Sequence, residues 1–307
     1  MKFDHILLIG FGGPERPEEV RPFLEQVTRG TRIPEARIRE VERHYEQIGG
    51  RSPYNDQARL VAGKLGTQIK LPLFLGMRNW PPFLKDVIPE IKAKGLKNGI
   101  GIVLAPHRSE ASFGRYVRSV EEIKAGTYEY LEPWHNHPLF IKAQAERISE
   151  IGVKGTILFT AHSIPVSMAE QSSYAQEFEE SSRLIAGELN GADWTTGYQS
   201  RSGRPADPWL GPDVASRMEE IAKRGGRTVV VVPVGFVCDN AEILYDLDIQ
   251  AREAARKSGL EYRRAGTVSD HPDFIEMLAE LIREKIDLPI FSPRSIRNDG
   301  MEKTSGM

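Results

Sequence analysis

His162 and Glu242 are the two residues of this chain whose types and positions most directly permit chemistry. Each follows a short apolar run, residues 157–161 before His162 and residues 229–232 upstream of Glu242. In an open α/β sheet, ligands bind outside the carboxyl ends of the strands. An imidazole and a carboxylate that meet there can bind a divalent metal ion or transfer protons. The sequence therefore predicts that one cleft holds both side chains.

A polar row continues from Glu242 along the helix predicted over residues 240–257. Glu242, Asp246 and Gln250 are spaced by four, so in an α-helix they fall within an arc of about 80°. A solvated helix face is the usual explanation of such a row. Here the helix starts directly after a buried strand, which favours a row that begins inside the site.

The elements that would position these residues alternate along the chain. Short apolar strands followed by amphipathic helices are typical of parallel βαβ units, and strands rich in Val, Ile and Leu are typical of sheets covered on both faces. The predicted strands are 5–10, 72–76, 99–104, 155–160, 194–198, 227–233 and 261–264. The predicted helices are 81–93, 112–124, 138–150, 177–189, 212–223, 240–257 and 272–284.

The strands fall into two sets on either side of a proline-containing crossover, which predicts an α/β protein of two Rossmann-like halves. We predict a first half over residues 1–130 and a second half, with the metal-site residues, over residues 131–270. A C-terminal helix, 271–286, is expected to pack back on the first half, and the polar tail 293–307 is predicted to be disordered. Two halves that face each other would form a deep ligand cleft.

Composition excludes several classes of protein. The chain has 307 residues and a formal net charge of −2, which gives no basic surface for nucleic acid. No apolar run reaches the roughly 18 residues of a membrane-spanning helix, and the first residues lack the pattern of a signal peptide. A single cysteine, Cys238, excludes an internal disulfide framework. We expect a monomeric, cytoplasmic protein with no transmembrane segment.

The glycine-rich turn after the first strand, residues 10–14, fits a dinucleotide loop poorly. The nucleotide pattern would need glycine at position 15, which is Glu15, and Pro14 lacks a backbone donor for phosphate. Its glycines instead allow a flat ligand to approach the backbone. The turn therefore disfavours a nucleotide-dependent oxidoreductase.

Three other positions allow both a binding and a structural interpretation. Ser52 before Pro53 predicts the N-cap and first residue of a helix, or an anion site formed with Arg51. His107 lies at the carboxyl end of the third strand and either lines the cleft or is a hydrogen-bonded structural residue. Trp209, within Pro-Trp-Leu-Gly-Pro, belongs either to an aromatic wall of the cleft or to a packed loop.

Taken in order, these segments resemble the ferrochelatases, the metal-inserting enzymes of haem synthesis. The match extends from Leu8 to about Ile282. Its pieces are Gly-Phe-Gly-Gly-Pro at 10–14, Tyr-Glu-Gln-Ile-Gly-Gly-Arg-Ser-Pro at 45–53, Leu-Ala-Pro-His at 104–107, Ala-His-Ser-Ile-Pro at 161–165, Tyr-Gln-Ser at 198–200, Pro-Trp-Leu-Gly-Pro at 208–212, Pro-Val-Gly-Phe-Val-Cys-Asp at 233–239 and Glu-Ile-Leu-Tyr-Asp at 242–246.

The resemblance implies a porphyrin cleft between the two halves, with Fe²⁺ as a substrate and no permanently bound cofactor. His162 and Glu242 would bind the iron and handle the two pyrrole protons, and Asp246 would relay protons. The residues implied to contact the porphyrin are Phe11, Tyr45, Ser52, Tyr116 and Trp209.

Residues around the predicted cleft also bear on which porphyrin the protein would use. Family members that use coproporphyrin III often carry Tyr at the place of Phe11 and Arg at the place of His44. However, the chain is more similar to the coproporphyrin III group than to other ferrochelatases at three places: residues 104–107, Tyr116 and the Gly-Pro-Asp at 211–213. The chain also lacks a hydrophobic lip and cluster cysteines, as in the soluble bacterial type. We predict coproporphyrin III, with protoporphyrin IX as the alternative.

Two further classes use a related architecture. A non-catalytic haem or tetrapyrrole binder would keep the aromatic cleft but would not need both His162 and Glu242. A nickel or cobalt chelatase would be shorter or rich in histidine, and the seven histidines here form no cluster in sequence. The combination of His162, Glu242 and Asp246 favours an enzyme that inserts Fe²⁺.

Overall fold

The computed structural model describes residues 2–30, 33–202 and 207–287, so the tail predicted to be disordered lies outside the described residues. The described residues contain eight strands. They are β1 (His5–Gly10), β2 (Leu73–Met77), β3 (Asn98–Val103), β4 (Thr127–Tyr130), β5 (Thr156–His162), β6 (Trp194–Gln199), β7 (Thr228–Val232) and β8 (Glu261–Arg264). All seven predicted strands are present, with ends shifted by at most two residues.

The strands form two four-stranded sheets whose neighbouring strands are all parallel. The orders are β2-β1-β3-β4 and β6-β5-β7-β8, so the second sheet repeats the pattern of the first. This confirms the predicted fold class of two Rossmann-like halves. The order in which strands are added to the sheet reverses between β1 and β3, and again between β5 and β7. Ligand sites of open α/β sheets lie at these switch points, beyond the carboxyl ends of the strands.

Helices cover both sheets. The α-helices are α1 (Val20–Val27), α2 (Glu35–Gln47), α3 (Tyr54–Gly66), α4 (Leu84–Ala93), α5 (Arg115–Glu121), α6 (Pro138–Ser149), α7 (Val166–Ala169), α8 (Tyr174–Glu188), α9 (Val214–Lys223), α10 (Arg252–Lys257) and α11 (Pro272–Asp287). Two π-helices, Glu110–Gly114 and Ile243–Ala251, and a 3₁₀ turn, Pro17–Glu19, complete the described elements. No helix among the described residues is long and apolar enough to cross a bilayer.

Two helices predicted as continuous α-helices are partly of another type. The segment predicted over 240–257 is a π-helix up to Ala251, and the segment over 112–124 begins within the π-helix that ends at Gly114. The prediction was wrong because a π-helix uses the same residues with i→i+5 hydrogen bonds, which composition does not distinguish. β4 was missed because its sequence, Thr-Tyr-Glu-Tyr, is only half-buried at the sheet edge.

One hydrophobic cluster joins the two halves. It contains Ile6 of the first sheet and Phe159 of the second, together with Phe274 and Leu278 of α11, all of them fully buried. Helix α11 packs against both α3 and α6. Each such side chain contributes about 1.5–3 kcal/mol by leaving water. The shared core therefore fixes the two sheets relative to each other, and with them the residues at their carboxyl ends.

Candidate active site between the two halves

The structure brings His162 and Glu242 together at the switch point of the second sheet. His162 is the last residue of β5, and its Nε2 lies 3.4 Å from Oε1 of Glu242. The imidazole Nδ1 donates to the carbonyl of Ser163, and the Tyr174 hydroxyl donates to the carbonyl of His162 at 2.9 Å. Because Nδ1 carries a hydrogen, Nε2 is the atom that faces Glu242 and can bind a proton or a metal ion.

The pKa of His162 reflects this pairing. Burial lowers the pKa, but the charge and hydrogen bond of Glu242, the Ser163 carbonyl and the charge of Asp246 raise it to about 9. At neutral pH the imidazole is therefore largely protonated and paired with the carboxylate. A divalent cation at Glu242 would remove the interaction that holds this proton, so cation binding and proton release at Nε2 are coupled.

The π-helix that follows Glu242 carries the rest of the acidic row. Asn240 caps its start, since Oδ1 accepts from the amide of Ile243 at 3.0 Å. Asp246 is half-buried, and burial, followed by the charge of Glu242, raises its pKa to about 6 against the lowering effect of a hydrogen bond from Ser200. Gln250 is exposed. The row therefore runs from the imidazole towards solvent, as a proton pathway requires.

Arg264 of β8 holds this π-helix in register, a contact that the sequence did not reveal. Its Nε and Nη2 donate to Asp248 at 2.7 and 2.9 Å, and its Nη1 donates to Asp239 at 3.2 Å. The amide of Asp239 donates to Oε1 of Gln57, in the first half, at 2.7 Å. The segment that presents Glu242 is thus anchored to both halves.

Aromatic residues of the first half form the opposing wall. Phe11 and Tyr45 pack with Phe23 and Trp80 in one cluster, which Ala241 of the second half also contacts. The ring centroids of Phe23 lie 5.8–6.3 Å from those of its three aromatic neighbours. Phe23 and Trp80 were not predicted as site residues, because nothing in their local sequence distinguishes them from core aromatics.

Two tyrosines of the first half lie within electrostatic reach of Glu242. Burial, and to a smaller extent the charge of Glu242, raise the pKa values of Tyr45 and Tyr116. Both phenols therefore stay protonated and can donate hydrogen bonds. Both predicted substrate contacts are thus buried side chains close enough to Glu242 to be affected by its charge.

A stacked ring pair closes the same region. The imidazole of His44 on α2 and the phenol of Tyr245 on the π-helix have centroids 3.6 Å apart and planes 11° apart. Burial is the main reason that the pKa of His44 lies below its ordinary value, so the ring is neutral. The stack connects the two halves directly beside the acidic row.

Ser52 and Trp209 lie on loops at the edge of the predicted site. Ser52 is buried, and its Oγ accepts from the amide of Tyr54 at 3.3 Å. Helix α3 begins at Tyr54 with Pro53 as its N-cap residue, so the predicted cap was wrong by one residue. Arg51 is paired with Asp56. Trp209 is half-buried, and its backbone pairs with that of Pro165, just after His162.

His107 occupies a buried position behind the site. Its Nε2 lies 3.0 Å from the Ser181 hydroxyl, and its ring packs edge-on against Tyr174 and Phe178. Burial, with a smaller contribution from His135, lowers its pKa to about 3. The neutral, hydrogen-bonded ring agrees with the structural interpretation of this histidine.

Two solved structures with a similar fold are SirB and CbiX. The chain matches SirB from Bacillus subtilis with Fe³⁺ at a TM-score of 0.59 and 13% identity, covering 91% of this chain and 94% of that one. It matches CbiX, the terminal enzyme of sirohaem biosynthesis in denitrifying bacteria, at a TM-score of 0.54 and 15% identity, covering 93% and 100%. Identities this low show the fold alone: a chelatase fold of two Rossmann-like halves.

Sequence comparison gives the family. The ferrochelatase family model matches residues 4–286. A ferrochelatase from Rhodopirellula baltica is 38% identical over 304 residues, covering 92% of this chain and 86% of the relative. A coproporphyrin III ferrochelatase from Mycolicibacterium paratuberculosis is 37% identical over 297 residues, covering 92% and 88%. The chain belongs to the ferrochelatase family of metal chelatases, lyases that insert iron into a porphyrin in haem biosynthesis. The resemblance found in the sequence is confirmed.

Proposed function

We propose that this ferrochelatase acts on coproporphyrin III and that His162, Glu242 and Asp246 carry the reaction. The observation that supports the residue assignment is the 3.4 Å contact between Nε2 of His162 and Oε1 of Glu242 at the switch point of the second sheet. The choice of porphyrin rests on relatives that are named coproporphyrin III ferrochelatases and are 36–37% identical to this chain.

Metal insertion requires that two pyrrole protons leave as Fe²⁺ enters. In the proposed mechanism, Fe²⁺ approaches the carboxylate of Glu242 and the Nε2 of His162, an oxygen and a nitrogen ligand that suit this metal. Loss of the proton on Nε2 then leaves a neutral imidazole that can accept a pyrrole proton. Asp246, whose pKa of about 6 lies near neutrality, passes protons along the row towards solvent.

Both halves would hold the macrocycle in this proposal. Phe11 and Tyr45 of the first half and Trp209 of the second offer flat apolar surface, while Ser52 and Tyr116 of the first half offer hydroxyl donors to the propionates. Monomeric state, cytoplasmic location and the lack of a permanently bound cofactor belong to the same proposal. Size-exclusion chromatography and a metal and absorption analysis of the purified protein test the first and third.

The decisive experiment compares coproporphyrin III, with four carboxylates, and protoporphyrin IX, with two, in anaerobic turnover with Fe²⁺. We expect kcat/KM for coproporphyrin III to exceed that for protoporphyrin IX by at least about tenfold, which corresponds to about 1.4 kcal/mol of transition-state binding. A reversed ratio would identify protoporphyrin IX as the substrate and leave the residue assignment standing. No insertion into either porphyrin would contradict both.

Ser200→Ala is expected to shift the acid limb of the activity profile to higher pH. The Ser200 hydroxyl donates to Asp246, and this bond stabilises the charged carboxylate, so its loss raises the pKa of Asp246 above its present value of about 6. Because relay needs the carboxylate, activity falls when pH drops through that pKa. The pH dependence of kcat in wild type and variant measures the shift, and coincident acid limbs would exclude Asp246 as the group observed.

Phe11→Tyr is expected to change the absorption spectrum of the iron-porphyrin product while it is bound. A phenolate oxygen at this position can ligate the product iron, whereas the phenyl ring of Phe11 cannot. Tyr45→Phe, in the same aromatic cluster, serves as the control, because it removes a hydroxyl instead of adding one. An unchanged Soret band in the Phe11→Tyr complex would place residue 11 away from the metal.

A further inference from the structure

Two buried polar side chains next to the acidic row have no hydrogen-bond partner among the described residues. Gln199 is 6% exposed, and neither its Nε2 nor its Oε1 has a hydrogen-bond partner among the described residues. Thr160 is 0% exposed, and its Oγ1 is likewise unpartnered within the described parts of the chain. Buried polar groups in native proteins are almost always hydrogen-bonded, to protein or to ordered water. Both side chains therefore point to a polar ligand.

The register of the second sheet places both side chains below the metal pair. Thr160 precedes His162 by two residues on β5, so their side chains leave the same face of the sheet. Gln199 of β6 is the direct partner of His162, and paired residues of neighbouring strands also share a face. Leu158, on this face, belongs to one buried cluster with Ile243 of the π-helix and Met218 of α9. Thr160 and Gln199 thus lie on the face of the sheet that these two helices cover.

The backbone after Gln199 turns to meet this row. Ser200 has a φ of +61°, a left-handed conformation that residues other than glycine rarely adopt, and its hydroxyl donates to Asp246. Ser200 directly follows Gln199 in the chain, so the residue that bonds the Asp246 carboxylate is next to the residue whose side-chain amide has no partner among the described residues. Such strain is found mostly at functional sites, where the surrounding structure maintains it.

We propose that Gln199 and Thr160 hold ordered water beneath His162 and Asp246 and that this water takes part in the removal of the pyrrole protons. The inference rests on the proposed function and deepens it. An amide supplies one acceptor and two donors, and a hydroxyl supplies both roles, so together they meet the two to four hydrogen bonds that a buried water makes. Gln199 is almost inaccessible, which excludes a macrocycle as the partner of its amide.

Proton transfer through this water conserves every atom. A proton that leaves Nε2 of His162 breaks its N–H bond there and forms an O–H bond on the water oxygen. The water then releases another of its protons to the ionised carboxylate of Asp246 and returns to its neutral form. Gln199 and Thr160 orient the water without changing protonation state, so they are positioning residues in this scheme.

A high-resolution crystal structure of the wild-type protein tests the water directly and needs no variant. We expect an ordered water within hydrogen-bonding distance of the Gln199 amide or the Thr160 hydroxyl. Direct protein partners for both side chains, with no water between them, would overturn the proposal. This result does not depend on catalysis, so it separates failure of the water site from failure of the proposed function, which would appear as absent Fe²⁺ insertion in the wild type.

Turnover of matched variants tests the role of the water. Gln199→Leu and Thr160→Val keep side-chain size and remove the polar atoms, and we expect each to lower kcat about tenfold with KM for porphyrin and iron unchanged. Thr160→Ser keeps the hydroxyl and should restore most of kcat. The control is Gln144→Leu on α6, which removes another buried glutamine whose Nε2 has no partner in the part of the chain that the structure describes, and it should leave kcat unchanged.

The variants also have outcomes that contradict the proposal. An unchanged kcat in both Gln199→Leu and Thr160→Val would exclude the water from the proton path. A raised KM for porphyrin with unchanged kcat would make Gln199 a substrate contact instead. Melting temperatures identify variants that lose activity through misfolding. For those variants, the presence or absence of the ordered water in the wild-type crystal structure decides whether the proposal stands.

Discussion

Replacing His162 with alanine is expected to abolish Fe²⁺ insertion while porphyrin binding is retained. The variant removes the Nε2 atom that lies 3.4 Å from Glu242 and with it both a metal ligand and a proton acceptor. Loss of a general base alone costs roughly 10²–10⁴-fold in rate. The aromatic wall of the first half, including Phe11 and Tyr45, is untouched, so the macrocycle keeps its main apolar contacts.

Anaerobic turnover and fluorescence titration with porphyrin measure the two effects of His162→Ala separately. The matched control is His135→Ala, because His135 forms another histidine–glutamate pair, with Nε2 2.9 Å from Glu180, outside the site. The control should keep its turnover. Full activity in His162→Ala would refute the assignment of this residue, and equal loss of activity in His135→Ala would show a general effect on folding.

Glu242→Gln is expected to lower turnover by roughly 10²-fold or more, with a much smaller effect on porphyrin affinity. The amide keeps the shape of the side chain but removes the negative charge that is the main influence raising the pKa of His162 to about 9 against burial. The pKa of His162 should therefore fall towards its ordinary value. The variant therefore loses two functions: the attraction of Fe²⁺ by the negative charge, and the stabilisation of the proton on the His162 imidazole.

Titration of the His162 ring by NMR measures this shift, and thermal unfolding across pH gives a second readout. A histidine pKa raised from 6.5 to about 9 stabilises the folded state fully below pH 6.5, and this stabilisation is lost as pH rises through 9. Glu242→Gln should flatten that dependence, whereas the control Glu180→Gln should not. Equal losses of turnover and porphyrin affinity would mean that Glu242 is structural.

The sequence predicted the second sheet and its polar strand ends well, for a physical reason. Parallel strands that are buried on both faces must be continuously apolar, so a histidine at the end of one strand and a carboxylate on the segment that follows another stand out. In a parallel sheet, residues that end or follow a strand all lie at the same edge, the edge formed by the carboxyl ends of the strands. His162 and Glu242 could be paired in this way without any three-dimensional information.

The remainder of the site depends on contacts between segments that are far apart in sequence. The stack of His44 on Tyr245 joins α2 to the π-helix, and the Arg264 ion pairs join β8 to the loop before Glu242. No local pattern encodes either contact. The charged sequence of α2 also hid its apolar face, which packs Ile38 and Tyr45 into the aromatic cluster.

Helix α11 has a consequence for how the protein is made. Synthesis proceeds from the amino terminus, so Pro272–Asp287 is the last described element to be translated. Its Phe274 and Leu278 nevertheless belong to the same buried cluster as Ile6, on one of the first strands to be made. The hydrophobic core of the first sheet is therefore incomplete until most of the chain has been synthesised. A nascent chain that stops before residue 272 would leave this apolar surface open, a state prone to aggregation and a substrate for chaperones.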